Sequence, residues 1–420
     1  MNLFSKILPE VKLRFNSASK FATDSSPRNG IRKFGPYDAS LFAQNQINCG
    51  LIYSAEMKPH RDALVNGFLK GDGPNFPGFT PWFRARAVFD PMAEKQVPSD
   101  ERSMRRAAGD LASRGCDLVF VIVAHRNELA YRGCKSVLLS SGIPCQFATA
   151  AKLQDPSQRP WVLGNIALAS YAKAGGAPWV VADSTGGREL VMGVSRAQDA
   201  KQNYVVGFVT LFSQDGDFLL LHAKSPVVGW DQYVKGLEDL VMDAYHEYAS
   251  CFGVPESLVI HFHKKPGQQE IEAVNSALQH LGNTIPYALV HLNEFSLFRL
   301  FDTSHSSYVP PTGLQVNLSR HRALLLLDGR EGGKRNRMGV PNVWDISMDK
   351  RSTMQPDQFS RLVSQAHRFS KVNWRGFNAR SLPVTINYSK LICDQVLDIG
   401  LDSWNGIVTQ GKLREKAWFL

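Results

Sequence analysis

No Cys-x-x-Cys pair occurs among the six cysteines, which stand at positions 49, 116, 134, 145, 251 and 393. That spacing argues against a zinc ribbon and against a dithiol redox motif. Cys116, Cys134 and Cys145 lie among apolar residues and read as small core hydrophobes. Long apolar runs are missing too. The longest purely aliphatic stretch, Ala323–Leu327, is far short of the roughly 20 residues that span a bilayer. The opening MNLFSKILPEVKLRF carries basic residues but no unbroken apolar run, so it does not read as a secretory signal. Neither an internal repeat nor a low-complexity tract is present. A reducing, cytoplasmic setting without a membrane partner is the expectation. Acid is in deficit as well, with 38 Asp and Glu against 48 Lys and Arg and a formal net charge of +10. Such a surplus favours a polyanionic partner, nucleic acid before an anionic surface.

What is there is ordinary globular sequence: 420 residues, 44% hydrophobic and 20% charged, long enough for two or three domains. Residues 1–33 are polar, with a disordered bend expected around Ser25-Ser26-Pro27. Ile47–Ser54 reads as a buried strand, Pro59–Lys70 as an amphipathic helix, and Phe83–Phe89 as a short strand. Asp100 is a plausible N-cap for a helix to Arg114. Leu118–Val123 (LVFVIV) has the continuous apolarity of a parallel strand covered on both faces. A helix Glu128–Ser140, a strand Pro144–Ala148 and a helix Val162–Lys173 ending at Gly175-Gly176 follow. This alternation predicts a doubly wound α/β domain, with ligands at the carboxyl ends of its strands. The second half changes rhythm. Leu190–Val194, Tyr204–Phe212 and Phe218–His222 read as three successive strands, with a hairpin turn at Gln214–Asp217. A long helix Trp230–Phe252 and a strand Ser257–His263 complete a β-β-β-α-β order, that of a ribonuclease-H-like sheet. The expected organisation is an N-terminal segment 1–38, one α/β domain over 39–176 and a second over 177–420.

Tyr131 and Lys135 stand one helical turn apart and share a face, with His125 and Arg126 just before that helix. A cation and an aromatic ring there suit a phosphate and its base. Alone, the pair reads more readily as a surface helix with a solvated lysine and a half-buried tyrosine. Gln146, beyond the next strand, and Lys173, at the end of the next helix, change the balance. Their elements end at the same sheet edge, and buried cations without an anion are costly.

Here the residues match a family. Tyr131-Arg-Gly-Cys-Lys135, Gly142-Ile-Pro-Cys-Gln146-Phe147 and the run from Asn165 through Lys173 to Trp179 resemble the MID domain of Argonaute proteins. Phe34-Gly-Pro-Tyr37, His291-Leu-Asn-Glu294, Val372-Asn-Trp-Arg-Gly-Phe377, Leu382–Tyr388 and the final Trp418-Phe419-Leu420 extend the resemblance along nearly the whole chain. The resemblance is to short Argonautes, a Rossmann-like MID domain followed by a ribonuclease-H-like PIWI domain. It implies that Tyr131, Lys135, Gln146 and Lys173 grip the 5′ phosphate of a guide strand and stack its first base. It further implies that the carboxylate of Leu420 helps to hold Mg²⁺ beside that phosphate. Ala169 departs from the pattern, standing where short archaeal members carry a glutamine metal ligand; Asn165 is the nearest alternative amide.

Catalytic members of the family place an Asp at a first-strand Gly-x-Asp, a second Asp after a later strand, and an Asp or His on a final helix. Ser195, Lys264 and Lys390 stand at these positions. A two-metal nuclease needs clustered carboxylates, so an inactive PIWI domain is expected. Lys264, Lys265 and Lys390 either meet strand phosphates or are solvated surface charges. Arg375, Arg380 and Tyr388 are candidate backbone donors along the guide. Trp374 reads as core before a base-stacking ring, and the loop Asp328–Met338, with Arg330, Lys334, Arg335 and Arg337, as a mobile surface loop before an electrostatic contact. The resemblance implies an RNA guide (or a DNA one), a complementary DNA target, and an APAZ-containing effector partner bearing a TIR, Sir2-like or nuclease domain in defence against plasmids or phages. Two other classes stay open: a guide-directed endonuclease whose acids lie elsewhere, and a stand-alone dimeric DNA-binding protein.

Overall fold

Six consecutive apolar residues, Leu118–Val123, form a strand in which every side chain is buried. Such a strand needs cover on both faces, and its hydrogen-bonding neighbours explain the pattern. In the computed structural model it lies between Gln46–Tyr53 and Cys145–Thr149, with Arg86–Gln96 outside Gln46–Tyr53, and all pairings are parallel. The structure describes residues 4–38, 40, 42–125, 128–182, 187–198, 204–205, 209–212, 218–222, 230–282, 285–331, 339–400, 407, 411–413 and 416–420. The chain divides into two compact units.

The unit built on this parallel sheet comprises residues 13–180, 374–379 and 394–420. Its helices Lys58–Lys70, Glu101–Ala112, Glu128–Ser140 and Arg159–Ala174 start and stop where local chemistry dictates. Asp100 caps Glu101–Ala112 by accepting from the Ser103 N–H at 2.9 Å. Gly175, at φ 117°, ends Arg159–Ala174 in the left-handed conformation that glycine adopts without strain. Met104, Ala107, Leu111, Val119, Val121, Cys134, Leu138 and Cys145 form one apolar core between helices and sheet. On the other side Phe68 stacks on Phe79 and Phe83 on Tyr171, while Phe120 meets Phe68 edge-on and Phe79 tilts against Phe83.

Local expectation failed at two places in this unit. Ser25-Ser26-Pro27 is not a disordered bend but a helix start: Pro27–Phe34 is helical, and Ser26 Oγ accepts from the Asn29 N–H at 3.4 Å. A serine cap followed by proline in the first turn is a helix signal in its own right. The expected strand Phe83–Phe89 begins later and runs longer, as Arg86–Gln96, because Phe79–Phe83 is a short helix. That helix buries Phe79, Trp82 and Phe83 on one face, and Arg84 leaves it at φ 56°.

The other unit comprises residues 1–12, 181–373 and 380–393. Its nine-stranded sheet runs, in spatial order, Phe4–Ile7, Leu314–Ser319, Arg322–Leu325, Trp344–Met348, Tyr287–Asn293, Ser257–Phe262, Glu189–Val194, Val209–Phe212 and Phe218–His222. Ser257–Phe262 is parallel to both of its neighbours, and the remaining pairs are antiparallel. Three antiparallel strands, a helix (Trp230–Phe252) and a strand returning parallel to the first give the ribonuclease-H-like order. That helix and Gln268–His280 bury Leu237, Leu240, Val241, Ala244, Ile271 and Val274 against the sheet. The expected strand Tyr204–Phe212 is two pieces with different partners. Tyr204–Val205 pairs with Ala197–Gln198, and Val209–Phe212 pairs with Glu189–Val194. The turn Gln214–Asp217 lies outside the described residues. Among the described residues, no helix is long and apolar enough to cross a membrane.

Candidate nucleic-acid interface

In the first unit, Tyr131 and Lys135 meet as their one-turn spacing requires. Lys135 Nζ donates to Tyr131 Oη at 2.7 Å and lies 4.8 Å from the centre of its ring. The ring packs on Phe147 at 4.6 Å, and Tyr131 Oη donates to Gln395 Oε1 at 3.3 Å. Across the strand, Lys173 Nζ donates to Gln146 Oε1 at 2.8 Å and to the Cys145 carbonyl at 2.9 Å. Both ammonium groups are buried, Lys135 being 2% and Lys173 3% exposed. Among the described residues neither has a carboxylate partner. Burial first, and then the like charges of Lys135 and Arg375, pull the Lys173 pKa down to about 7. Two lysines and no acid at the end of a parallel sheet make a site poised for an anion.

The neighbouring candidates are less available. Asn165 Oδ1 accepts from the Phe377 N–H at 3.0 Å, so its amide anchors the segment 374–379. Trp374 is buried and donates from Nε1 to the Trp179 carbonyl at 3.0 Å, as core. Arg375 is exposed, and Arg126 lies outside the described residues. The Ala417 N–H reaches the Ala172 carbonyl at 3.4 Å, which brings the last residues beside the helix end carrying Lys173. The ligand expected for a magnesium ion is the terminal carboxylate of Leu420, and the side chains near it add few oxygen donors. Gln146 Oε1 already accepts from Lys173, and Ala169 supplies no donor. Among the described residues no three His, Cys, Asp or Glu side chains stand together.

In the other unit, Ser195 is buried at the end of Glu189–Val194, its Oγ 2.7 Å from Ser389 Oγ. Ser389 Oγ donates in turn to the Thr385 carbonyl at 2.8 Å. A closed hydroxyl chain therefore stands where a metal-ligating carboxylate was sought. Lys264 is exposed. Lys390 is not idle: its Nζ lies 3.2 Å from Glu294, which also faces His263 Nε2 at 3.5 Å and Arg380 at 3.6 Å. Arg380 further reaches Asp328 at 3.7 Å. Burial, then Lys390, lowers the His263 pKa below its usual value. Tyr388 is buried, and its hydroxyl donates to the Val372 carbonyl at 3.2 Å. Arg330 pairs with Asp302 at 2.9 Å, while Lys334, Arg335 and Arg337 lie outside the described residues.

No family profile matches the chain. It is 24% identical to the protein argonaute of Cereibacter sphaeroides over 460 aligned residues, 99% of this chain and 59% of that one. Against the Piwi protein of Archaeoglobus fulgidus it is 25% identical over 412 residues, 93% of each chain. Its homologues are Argonaute and Piwi proteins. Two solved structures share the fold. The Clostridium butyricum Argonaute bound to a guide DNA and a 19-mer target DNA superposes with a TM-score of 0.71 at 17% identity, covering 95% of this chain and 53% of that chain. Drosophila Piwi gives 0.73 at 12% identity, covering 99% of this chain and 56% of its own. The fold is therefore the mixed α/β Argonaute/Piwi fold with MID and ribonuclease-H-like PIWI domains.

On this Argonaute-like frame, three groups escaped the reading of the sequence. Gln395 approaches Tyr131 from 264 residues away, a pairing that no local pattern signals. Glu294 was visible only as the end of His291-Leu-Asn-Glu294, and His263 only as a neighbour of Lys264. Their meeting follows from parallel strands Ser257–Phe262 and Tyr287–Asn293, whose ends lie side by side.

Proposed function

We propose that this chain holds a guide strand by its phosphorylated 5′ end and recognises a complementary strand without cutting it. The observation that carries the reading is the pair of buried ammonium groups, Lys135 and Lys173, converging with Tyr131 and Gln146. A 5′ phosphate supplies the missing charge, and the Tyr131 ring offers a surface for the first base. The 39–176 domain carries this anchor, and the 177–420 domain receives the paired strands, with Arg375, Arg380, Lys264 and Lys390 as backbone contacts. Recognition then rests on base pairing, with the protein reading shape and backbone.

The same proposal excludes chemistry at Ser195, Lys264 and Lys390. A buried, hydrogen-bonded hydroxyl is a poor ligand and two ammonium groups repel divalent ions, so no two-metal centre is expected there. An RNA guide, a DNA target and an APAZ-containing effector partner acting in defence complete the proposal, supported by the resemblance to short Argonautes. The protein loaded with a 5′-phosphorylated guide is incubated with a labelled complementary strand and Mg²⁺ or Mn²⁺. The expected result is a stable ternary complex with an intact target. Site-specific cutting would overturn the non-catalytic reading, and absence of any complex would overturn guide binding.

A further inference from the structure

Among the described residues, Glu294 is the carboxylate that lies within ion-pair reach of Lys390, His263 and Arg380 together, Arg380 also reaching Asp328, and it is 11% exposed at its side chain. These three groups come from different segments: the end of Ser257–Phe262, the residues before Val384–Ile399, and that helix itself. Lys264, exposed, adds its field to the same place, since it lowers the His263 pKa together with Lys390. A carboxylate held by Lys390 at 3.2 Å and Arg380 at 3.6 Å, with the His263 imidazole at 3.5 Å, occupies the place that a phosphodiester oxygen takes in a strand-binding site. The surrounding charges exceed it. Lys264, Lys390 and Arg380 give +3 against −2 for Glu294 and Asp328, so the cluster keeps a net positive charge even with both carboxylates in place. Nothing in the packing asks for the acid: His263 is held away from its charged form, and Lys390 is 43% and Arg380 50% exposed at their side chains. Each would be hydrated without it.

We propose that Glu294 is a built-in competitor for a strand phosphate: it pre-orders Lys390 and Arg380 and charges a toll on every phosphate that engages them. The consequence is discrimination. Isolated contacts with bulk nucleic acid do not displace the carboxylate, whereas a strand fixed by base pairing does. This inference rests on the proposed function, because the competing phosphate is that of a guide-paired strand.

The test compares wild type with Glu294→Gln and Glu294→Ala, both neutral, and Glu294→Asp, which keeps the charge. Each is loaded with a 5′-phosphorylated guide and titrated with its complement and with a non-complementary strand across a range of salt. Thermal melting reports folding. The neutral variants should bind both strands about two- to fivefold more tightly at low salt, with the larger relative gain for the non-complementary strand. Their plots of log affinity against log salt should steepen by about one, and Glu294→Asp should keep the wild-type slope. The gain should vanish when Lys390→Gln is combined with Glu294→Gln. Unchanged or weaker binding by folded neutral variants would refute the competitor role. Two neutral variants that both fail to fold would assign Glu294 to structure and refute it equally. Failure of wild type to bind either strand would instead sink the function on which it rests.

Discussion

Lys173 sets stability against binding. Its pKa of about 7 in the folded chain stands well below the roughly 10.4 of an unfolded lysine. Between those values the unfolded chain binds more protons than the folded one, so stability rises with pH across that window. On the proposed function, phosphate beside Lys173 would reverse the local preference by favouring the ammonium, and binding above pH 7 would take up a proton. Two outcomes follow for the ligand-free protein. Its melting temperature should rise from pH 7 to pH 9.5, and Lys173→Met should flatten that rise while melting at least about 2 °C higher at pH 7. Affinity for a 5′-phosphorylated strand should fall over the same pH range. Calorimetric scans and fluorescence titration at each pH measure both, and a pH-independent melt would contradict the burial argument. Pairs one turn apart, such as Tyr131 and Lys135, were legible at this scale because helical spacing alone brings them together. The Lys135–Tyr131–Gln395 chain and the ring around Glu294 were not, since their members lie far apart in sequence.

Elements report a similar division. Strand Leu118–Val123, helix Glu128–Ser140 and helix Trp230–Phe252 appear where periodicity placed them, because each is long or uniformly apolar. Phe79–Phe83 escaped because a helix of five residues stands on tertiary aromatic packing. The stretch Tyr204–Phe212 was misread because the choice of partner strand is a non-local matter. Ser26-Pro27 was legible in principle and was misjudged from polarity. One contact between elements makes a sharp forecast. On strand Glu189–Val194, a Cβ at Gly193 would lie 2.0 Å from the Thr385 carbonyl oxygen, and Thr385 Oγ1 bonds His261 Nδ1 at 2.9 Å. Backbone therefore meets backbone with no space for a methyl group. Gly193→Ala should cost about 3 kcal/mol or more in chemical denaturation. A loss under about 1 kcal/mol would mean that the start of helix Val384–Ile399 is free to shift.

At the scale of the whole molecule, the net charge of +10 suits a polyanionic partner, and the fold is that of Argonaute and Piwi structures. Charge alone does not say how a strand is held. The proposed anchor is the buried pair Lys135 and Lys173, which have no carboxylate partner among the described residues. In the second unit, the hydroxyl chain from Ser195 to Ser389 and the basic groups around Glu294 are what the proposal of strand contact without cutting rests on. The most direct measurement is the affinity of one strand carrying either a 5′ phosphate or a 5′ hydroxyl, for wild type and for the double variant Lys135→Glu, Lys173→Glu. Wild type should prefer the phosphate by roughly tenfold or more, and the double variant should show no preference. Equal affinity of wild type for the two ends would contradict the account.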